Sequence, residues 1–321
     1  MATSPAALTA ILLTERSVPS DAPPLSASEF WPLLRSLDLV ELAERGLSDA
    51  IEVEGSHALD QERIDALLAR STAMAFELDR LHQSGIRVLS ALDDAYPERL
   101  CDRLGDAAPP LLYAAGDTSL LAQESLAIVG SRGVTPAGAD VARSAARLAA
   151  GERLAVVSGA ARGVDQLAMA AAWEAGGAVV GVLSEGLDRA LRTREHRAAV
   201  LDGRALLFSP YKPSAGFSVG NAMARNKIIY AQSSVALVVA SEEGSGGTWA
   251  GATEALAKRL TPVAVWTGEG AGPGNAALVQ RGGQPVEDVT ELLGIRDVSA
   301  RLDRIDRAPA TATQLGLDLS L

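Results

Sequence analysis

Leu126-Ala127-Ile128-Val129-Gly130-Ser131-Arg132-Gly133 sets four apolar residues directly before a serine and an arginine flanked by glycines. An apolar run without polar alternation predicts a strand covered on both faces. Glycines at its end predict a tight turn into a helix. The same grammar returns further along the chain. Apolar runs at Leu154–Val157, Ala178–Leu183, Ala205–Phe208, Val235–Ala240 and Pro262–Trp266 predict further strands. Helical patterns lie between them at Ala137–Ala149, Val164–Ala175, Arg189–Leu201, Ala222–Gln232 and Thr248–Lys258. Such alternation implies right-handed crossovers and a mainly parallel sheet. The expected fold class is α/β, an extended Rossmann-like, doubly wound sheet over residues 85–286. Ile86–Leu89 and Leu111–Ala114 are expected to add two short strands before it.

Outside this region the pattern changes. Residues 28–84 repeat Phe30, Leu33, Leu34, Leu37 and Val40, then Ile64, Leu67 and Leu68, at helical spacing, with Asp60 as a plausible N-cap. They predict a small helical N-terminal domain. Residues 1–27 are rich in Ala, Ser and Pro, and Pro23-Pro24 breaks a helix, so a flexible arm is expected there. Residues 287–321 read as a short tail with one helical pattern and a linker-like stretch at Ala308–Thr313.

The 321 residues are 48% hydrophobic, enough for a sizeable core, and carry a net charge of −11. That charge is unevenly spread: −12 over residues 1–125, +4 over 126–286 and −3 over 287–321. The modest basic excess coincides with the glycine loops. Cys101 is the only cysteine, which excludes an internal disulfide and fits a reducing, cytoplasmic location. It stands apart from His57, His82 and His196 without metal-ligand spacing, so no metal is expected. Neither a secretory signal nor a membrane-spanning run is apparent.

In open α/β sheets ligands bind beyond the carboxyl ends of the strands. The residues expected there are Gly130, Ser131 and Arg132 after the first strand, and Ser158, Gly159, Arg162 and Gly163 after the second. Ser184-Glu185-Gly186-Leu187-Asp188 follows the third, and Ser245, Gly246, Gly247 and Thr248 follow the fifth. The sixth strand is followed by Gly268, Gly270, Gly272 and Gly274. Glycine lets backbone N–H groups approach a phosphate, a helix start adds free donors, and arginine adds a bidentate fork. Arg225, Asn226 and Lys227 form a second polar cluster leading into the apolar Ile228-Ile229-Tyr230. Phe217, Tyr230 and Trp249 are candidate stacking residues. Asp165 and Asp188 face the ligand, cap a helix or hold an arginine. Neither a dinucleotide fingerprint nor a Walker loop is present, so no cofactor is expected. The order Ser–His–Asp and the nucleophile elbow are also missing, and His196 among Arg192, Arg194 and Arg197 reads as a solvated helix residue.

Taken together, these segments resemble the DNA-processing protein A family (DprA, also called Smf) from about Gly85 to Gly283. The resemblance is carried by Tyr96-Pro97-Glu98-Arg99-Leu100, Pro109-Pro110-Leu111 through Gly116, and Ile128-Val129-Gly130-Ser131-Arg132. It continues in Val157-Ser158-Gly159, Ala161-Arg162-Gly163-Val164-Asp165, Gly186-Leu187-Asp188, Arg225-Asn226-Lys227-Ile228-Ile229, the 244–252 loop and Gly274-Asn275. It implies a non-enzymatic protein that binds single-stranded DNA, pairs as a homodimer and assists RecA loading in transformation or recombination. The DNA contacts it implies are Ser131, Arg132, Gly159, Arg162, Arg225, Asn226, Lys227, Ser245, Gly246 and Thr248. On that basis Arg132→Ala and Arg225→Ala are each expected to weaken binding and flatten its salt dependence.

This chain departs from the family pattern in several places. Met169 replaces a usual histidine, Pro210 follows Ser209, and Arg189-Ala190-Leu191 replaces the usual Tyr-Pro after Asp188. The 244–248 loop is unusually glycine-rich, and residues 287–321 are expected to be a short tail with no winged helix. It is therefore expected to be a divergent member, with a role in genome defence also open. Two other readings stand beside this one. A nucleotide phosphoribohydrolase would share Gly246-Gly247-Thr248, but no proline precedes that loop, and Glu254 lies six residues past the threonine instead of three. A small-nucleotide sensor is the third.

Overall fold

A computed structural model describes residues 4–45 and 60–297. Among these residues the helices α1 (Pro5–Thr14), α2 (Ala27–Ser36), α3 (Leu39–Arg45), α4 (Gln61–Leu68) and α5 (Ser71–Gln83) come first. β1 (Arg87–Ser90), α6 (Glu98–Leu104) and β2 (Leu111–Gly116) lead into the alternating part. That part runs β3 (Ser125–Val129), α7 (Pro136–Gly151), β4 (Ala155–Ser158), α8 (Val164–Glu174), β5 (Val179–Val182), α9 (Leu187–Ala190), α10 (Arg194–Leu201), β6 (Ala205–Ser209). It continues α11 (Val219–Gln232), β7 (Val235–Val238), α12 (Gly246–Lys258), β8 (Val263–Trp266), α13 (Asn275–Gln280) and β9 (Gln284–Val286).

Among the described residues one sheet carries all nine strands, in the order β1-β2-β6-β5-β4-β3-β7-β8-β9. From β6 to β9 every neighbour is parallel, while β1–β2 and β2–β6 are antiparallel. This is the expected mainly parallel, Rossmann-like sheet. Its strand order reverses between β3 and β7. Crossovers from β3 onward step toward β6, and those from β7 onward step toward β9. The carboxyl ends of β3 and β7 therefore diverge into opposite crossovers and leave a crevice between them.

The strands are buried on both faces, as their apolar runs require. On one face Ala142, Ala145, Ala146 and Ala149 of α7 meet Ala168, Ala171 and Ala172 of α8 over Ile128 and Val156. Small side chains let these two helices lie close together. On the other face Ile228, Ile229 and Tyr230 of α11 pack with Ala252 and Ala255 of α12 and Leu100 of α6.

Two expectations are corrected. The stretch from residue 5 to residue 14 is the helix α1, not part of a loose arm. Ser4 caps it, Pro5 sits where a helix tolerates proline, and Ala10 and Leu13 pack with Leu25, Phe30, Leu33 and Ile64. Its end is fastened from inside. Arg70 donates to the carbonyls of Leu12, Glu15 and Val18, and the buried Glu15 accepts from the Tyr113 hydroxyl at 2.6 Å. The alanine and leucine content favoured a helix, and Pro23-Pro24 lies beyond its end at Thr14 and does not disturb it. Second, Arg189–Leu201 is not one helix. Leu187 and Ala190 are held in a cluster with Tyr113 and Leu207, whereas α10 buries no residue, so the chain turns between them. Ala308–Thr313 lies outside the described residues.

Candidate nucleic-acid interface

A cleft of about 610 Å³ opens at the strand-order reversal. One wall is the loop after β3, with Gly130, Ser131 and Arg132. The opposite wall is the loop after β7 and the start of α12, with Ser245, Gly246, Gly247 and Thr248. Val219, Ala222, Met223, Asn226, Ile229 and Tyr230 supply the third side. Their spacing of three and four places them on one face of α11. Of these, Asn226 and Tyr230 were singled out from sequence; Val219, Ala222, Met223 and Ile229 were not, nor was Glu242, which also lines the cleft. The helical spacing of the apolar residues at 219, 222 and 223 with the polar candidate at 226 was the signal that could have found them.

The walls are held by backbone. Ser131 N–H donates to Ala240 O at 2.9 Å, tying the β3 loop to the end of β7. Its hydroxyl accepts from Gly133 N–H at 3.2 Å. Gly246 has φ +83°, a conformation that favours glycine. Ser245 is the N-cap of α12, but its side chain makes no capping hydrogen bond. The first N–H groups of this 13-residue helix therefore face the cleft beside the exposed Arg132. Free helix donors beside an exposed arginine are a combination whose chemistry suits an anion. By contrast, Ser218 closes α11 by accepting from Asn221 N–H, and Thr135 closes α7 by accepting from Gly138 N–H.

Beneath the cleft lies a buried charged floor. Arg225 is 4% exposed. Its guanidinium donates to Gly159 O at 2.9 Å and also to Val182 O, joining the ends of β4 and β5. Gly159 is glycine because a Cβ there would meet that guanidinium at 2.7 Å. Asp165 accepts from Gly159 N–H at 3.1 Å. Burial pushes the Asp165 carboxyl up to about 6, against the opposing pull of Arg225. The Arg225 Nε–H and the Tyr230 hydroxyl are buried donors with no partner among the described residues.

Several candidate residues therefore build the site without lining it. Ser158 is fully buried and donates to Ile128 O at 2.7 Å, fastening β4 to β3. Gly159 receives Arg225, and Gly163 allows the β3 loop to lie against α8. Lys227 is half-buried on α11; burial lowers its pKa, and Glu254 and Lys258 of α12 are its charged neighbours. Arg162 is exposed in the β4 loop and outside the cleft wall, although Ala161 beside it lines the wall. The three arginines Arg132, Arg162 and Arg225 thus do not converge as one cluster. Arg132 is on the wall, Arg225 is in the floor and Arg162 stands outside. Asn226 lines the cleft, yet its amide donates to Gly247 O at 3.0 Å and stitches α11 to α12. Of the aromatics, Phe217 is 52% exposed at the cleft, Tyr230 is in its floor, and Trp249 packs under Arg281 instead. Glu254 pairs with Lys258 at 2.7 Å and is not in the cleft wall. His196 is exposed on α10.

Asp165 gives this floor a pH signature. A carboxyl whose folded pKa is raised holds its proton more tightly in the fold than in the unfolded chain. Its contribution is complete below its unfolded value and is lost as pH rises through about 6. A shift of this size corresponds to about 3 kcal/mol. Asp165→Asn is therefore expected to gain stability relative to the parent as pH rises from about 4 to 7. Denaturant titrations of both proteins across that range check it; a constant gap between the two would disprove the assignment.

Among the described residues no helix is long and apolar enough to cross a membrane, and no group of three or more His, Cys, Asp or Glu gathers as a metal site.

A family model, curated relatives and solved structures place this chain beside one family. Residues 87–295 match the family model of DNA recombination-mediator protein A. The DNA processing protein DprA of Streptococcus pneumoniae is 34% identical over 161 residues, which is 48% of this chain and 55% of the relative. The X-ray structure of that species' DprA superposes with a TM-score of 0.58 at 27% identity, over 71% of this chain and 81% of that one. DNA processing protein A of Helicobacter pylori, whose structure was described for its single-stranded DNA binding mode, shares the fold. Its TM-score is 0.54 at 24% identity, over 68% of this chain and 96% of its own.

Proposed function

This chain belongs to the DNA recombination-mediator protein A family, and from that membership and the cleft together we propose that it binds single-stranded DNA without catalysing a reaction on it. The observation that carries this reading is the pair of facing loops at the strand-order reversal. An uncapped helix start lies opposite an exposed arginine. Free N–H groups and Arg132 suit phosphates, and Phe217 and Met223 at the rim offer apolar surface to unpaired bases. Such contacts favour a strand whose bases are free to turn inward. The single-stranded DNA binding of the Helicobacter pylori protein supports the same choice. Extending the reading, the chain acts in the cytoplasm as a homodimer and hands the bound strand to RecA in recombination or transformation.

The test is a titration with matched single- and double-stranded oligonucleotides at two salt concentrations. A preference for the single strand that weakens with salt is expected. Arg132→Ala should lower the slope of log affinity against log salt by about 0.7, the value for one single-strand phosphate contact. Equal binding of both forms, or an unchanged slope, would overturn the assignment.

One observation favours a second reading. The unpartnered Arg225 Nε–H and Tyr230 hydroxyl under the cleft suit a compact ligand that reaches deep, such as a mononucleotide. Tight mononucleotide binding with none of oligonucleotides would select it. A phosphoribohydrolase is disfavoured by Glu254, which is engaged with Lys258. Release of free base from a nucleoside monophosphate would revive it.

A further inference from the structure

We propose that a strand leaving the cleft continues over the 210–218 loop and is held there by a second basic patch, formed by Lys212, Arg192 and Arg197. This rests on the single-stranded DNA reading and adds a second contact region to it.

The 210–218 loop connects the two places physically. At one end Phe217 enters the cleft. In its middle the loop is bonded to the start of α9. Gly186 N–H donates to Ala215 O at 2.8 Å and Asp188 N–H donates to Pro213 O at 3.0 Å. The approach is so close that a Cβ on Gly186 would lie 2.1 Å from Pro213 O. The chain then runs through α9 to Arg192 and Arg197, which line a second cavity of about 640 Å³ with Arg80 and Asp188. Adjacent strands lie about 4.8 Å apart, so the ends of β3 and β5 are separated by roughly 10 Å. A few nucleotides cover that span.

The charge on the patch is available. Arg80 pairs with Glu77, Arg189 with Glu185 and Arg204 with Asp202. Lys212, Arg192, Arg194 and Arg197 are exposed, and among the described residues none of them makes an ion pair. Asp188 and Glu195 are the carboxylates left beside them, so cations remain in excess. Guanidinium forks suit phosphate oxygens. Leu191 and Val200 line the same cavity, and the neighbouring Leu201 is 83% exposed, which gives a base an apolar surface.

Labelled oligothymidines of about 4 and about 16 nucleotides, the span of single-strand site sizes, separate the two regions. They are titrated across salt against the full chain, against Arg192→Ala/Arg197→Ala/Lys212→Ala, and against a control of equal charge change. The control is Arg147→Ala/Arg153→Ala/Arg259→Ala. All three of its residues are exposed, and Arg153 and Arg259 precede β4 and β8 at the opposite sheet edge. The patch variant is expected to bind the short oligonucleotide as the parent does. On the long one it should lose about 2 from the log–log salt slope, at about 0.7 per phosphate. The control should lose nothing. An unchanged slope on the long oligonucleotide, or an equal loss in the control, overturns the patch. Failure of the parent to bind either length overturns the cleft reading itself.

Discussion

Arg225→Ala is expected to cost about 3–5 kcal/mol of folding stability, the range for leaving a buried charge uncompensated. Three groups lose their partner at once. The carbonyls of Gly159 and Val182 lose the guanidinium that joins the ends of β4 and β5. Asp165, 7% exposed, loses the positive charge that opposes its desolvation, and its pKa climbs further above about 6. Near neutral pH the carboxyl must then bind a proton or remain as an uncompensated buried charge. The alanine also leaves a void beside Gly159, whose missing Cβ made room for the guanidinium. Chemical denaturation should show a lower midpoint without a change in slope. Oligonucleotide binding by the fraction that stays folded should keep the parent's salt dependence, because Arg132 still faces the cleft. A variant of parental stability with flattened salt dependence would instead make Arg225 a direct phosphate contact, as its motif alone suggested.

That contrast shows how far the sequence could be read. The sheet was legible because each buried parallel strand needs an apolar run, and such runs stand out between helical patterns. The switch point was legible in outline because glycines must follow β3 and β7 wherever backbone approaches a ligand. The role of Arg225 was not. An arginine one helical turn from Ile228 and Ile229 looks the same in sequence whether it reaches solvent or lies under a sheet edge. Only the packing of α11 across the ends of β4 and β5 decides this. Ser158 misled for a similar reason, since a hydroxyl after a strand serves a neighbouring carbonyl as readily as a ligand. The helix α1 was hidden by the serines and prolines around it, despite its alanine and leucine content. Its apolar residues find their partners in Leu25, Phe30 and Ile64, and its end is held by Arg70, contacts that no local pattern announces.

Gly163→Ala is expected to cost about 2–4 kcal/mol, from backbone strain and overpacking together. It should also lower affinity for single-stranded DNA on the order of tenfold, close to 1.4 kcal/mol. Gly163 has φ +86° and ψ −133°, a conformation that side-chain-bearing residues avoid. A Cβ there would lie 2.4 Å from Ser131 O and 2.7 Å from the Cα of Arg132. Both are backbone atoms, so no rotamer change relieves the clash, and the β3 loop must shift. The bond from Val164 N–H to Ser131 O, 3.3 Å long, goes with it. Arg132 would then leave its place opposite the start of α12 without being mutated itself. Gly133→Ala is the matched control: in the β3 loop itself, next to Arg132, its added Cβ meets nothing within 4 Å and its φ is not positive. It should stay within about 0.5 kcal/mol of the parent in stability and bind as the parent does. Thermal denaturation and anisotropy titrations of the two variants side by side measure both effects. Equal behaviour of Gly163→Ala and Gly133→Ala would mean that the β3 loop does not need its seat on α8. The close fit of that loop against the first turn of the helix would then not be what holds Arg132 at the cleft.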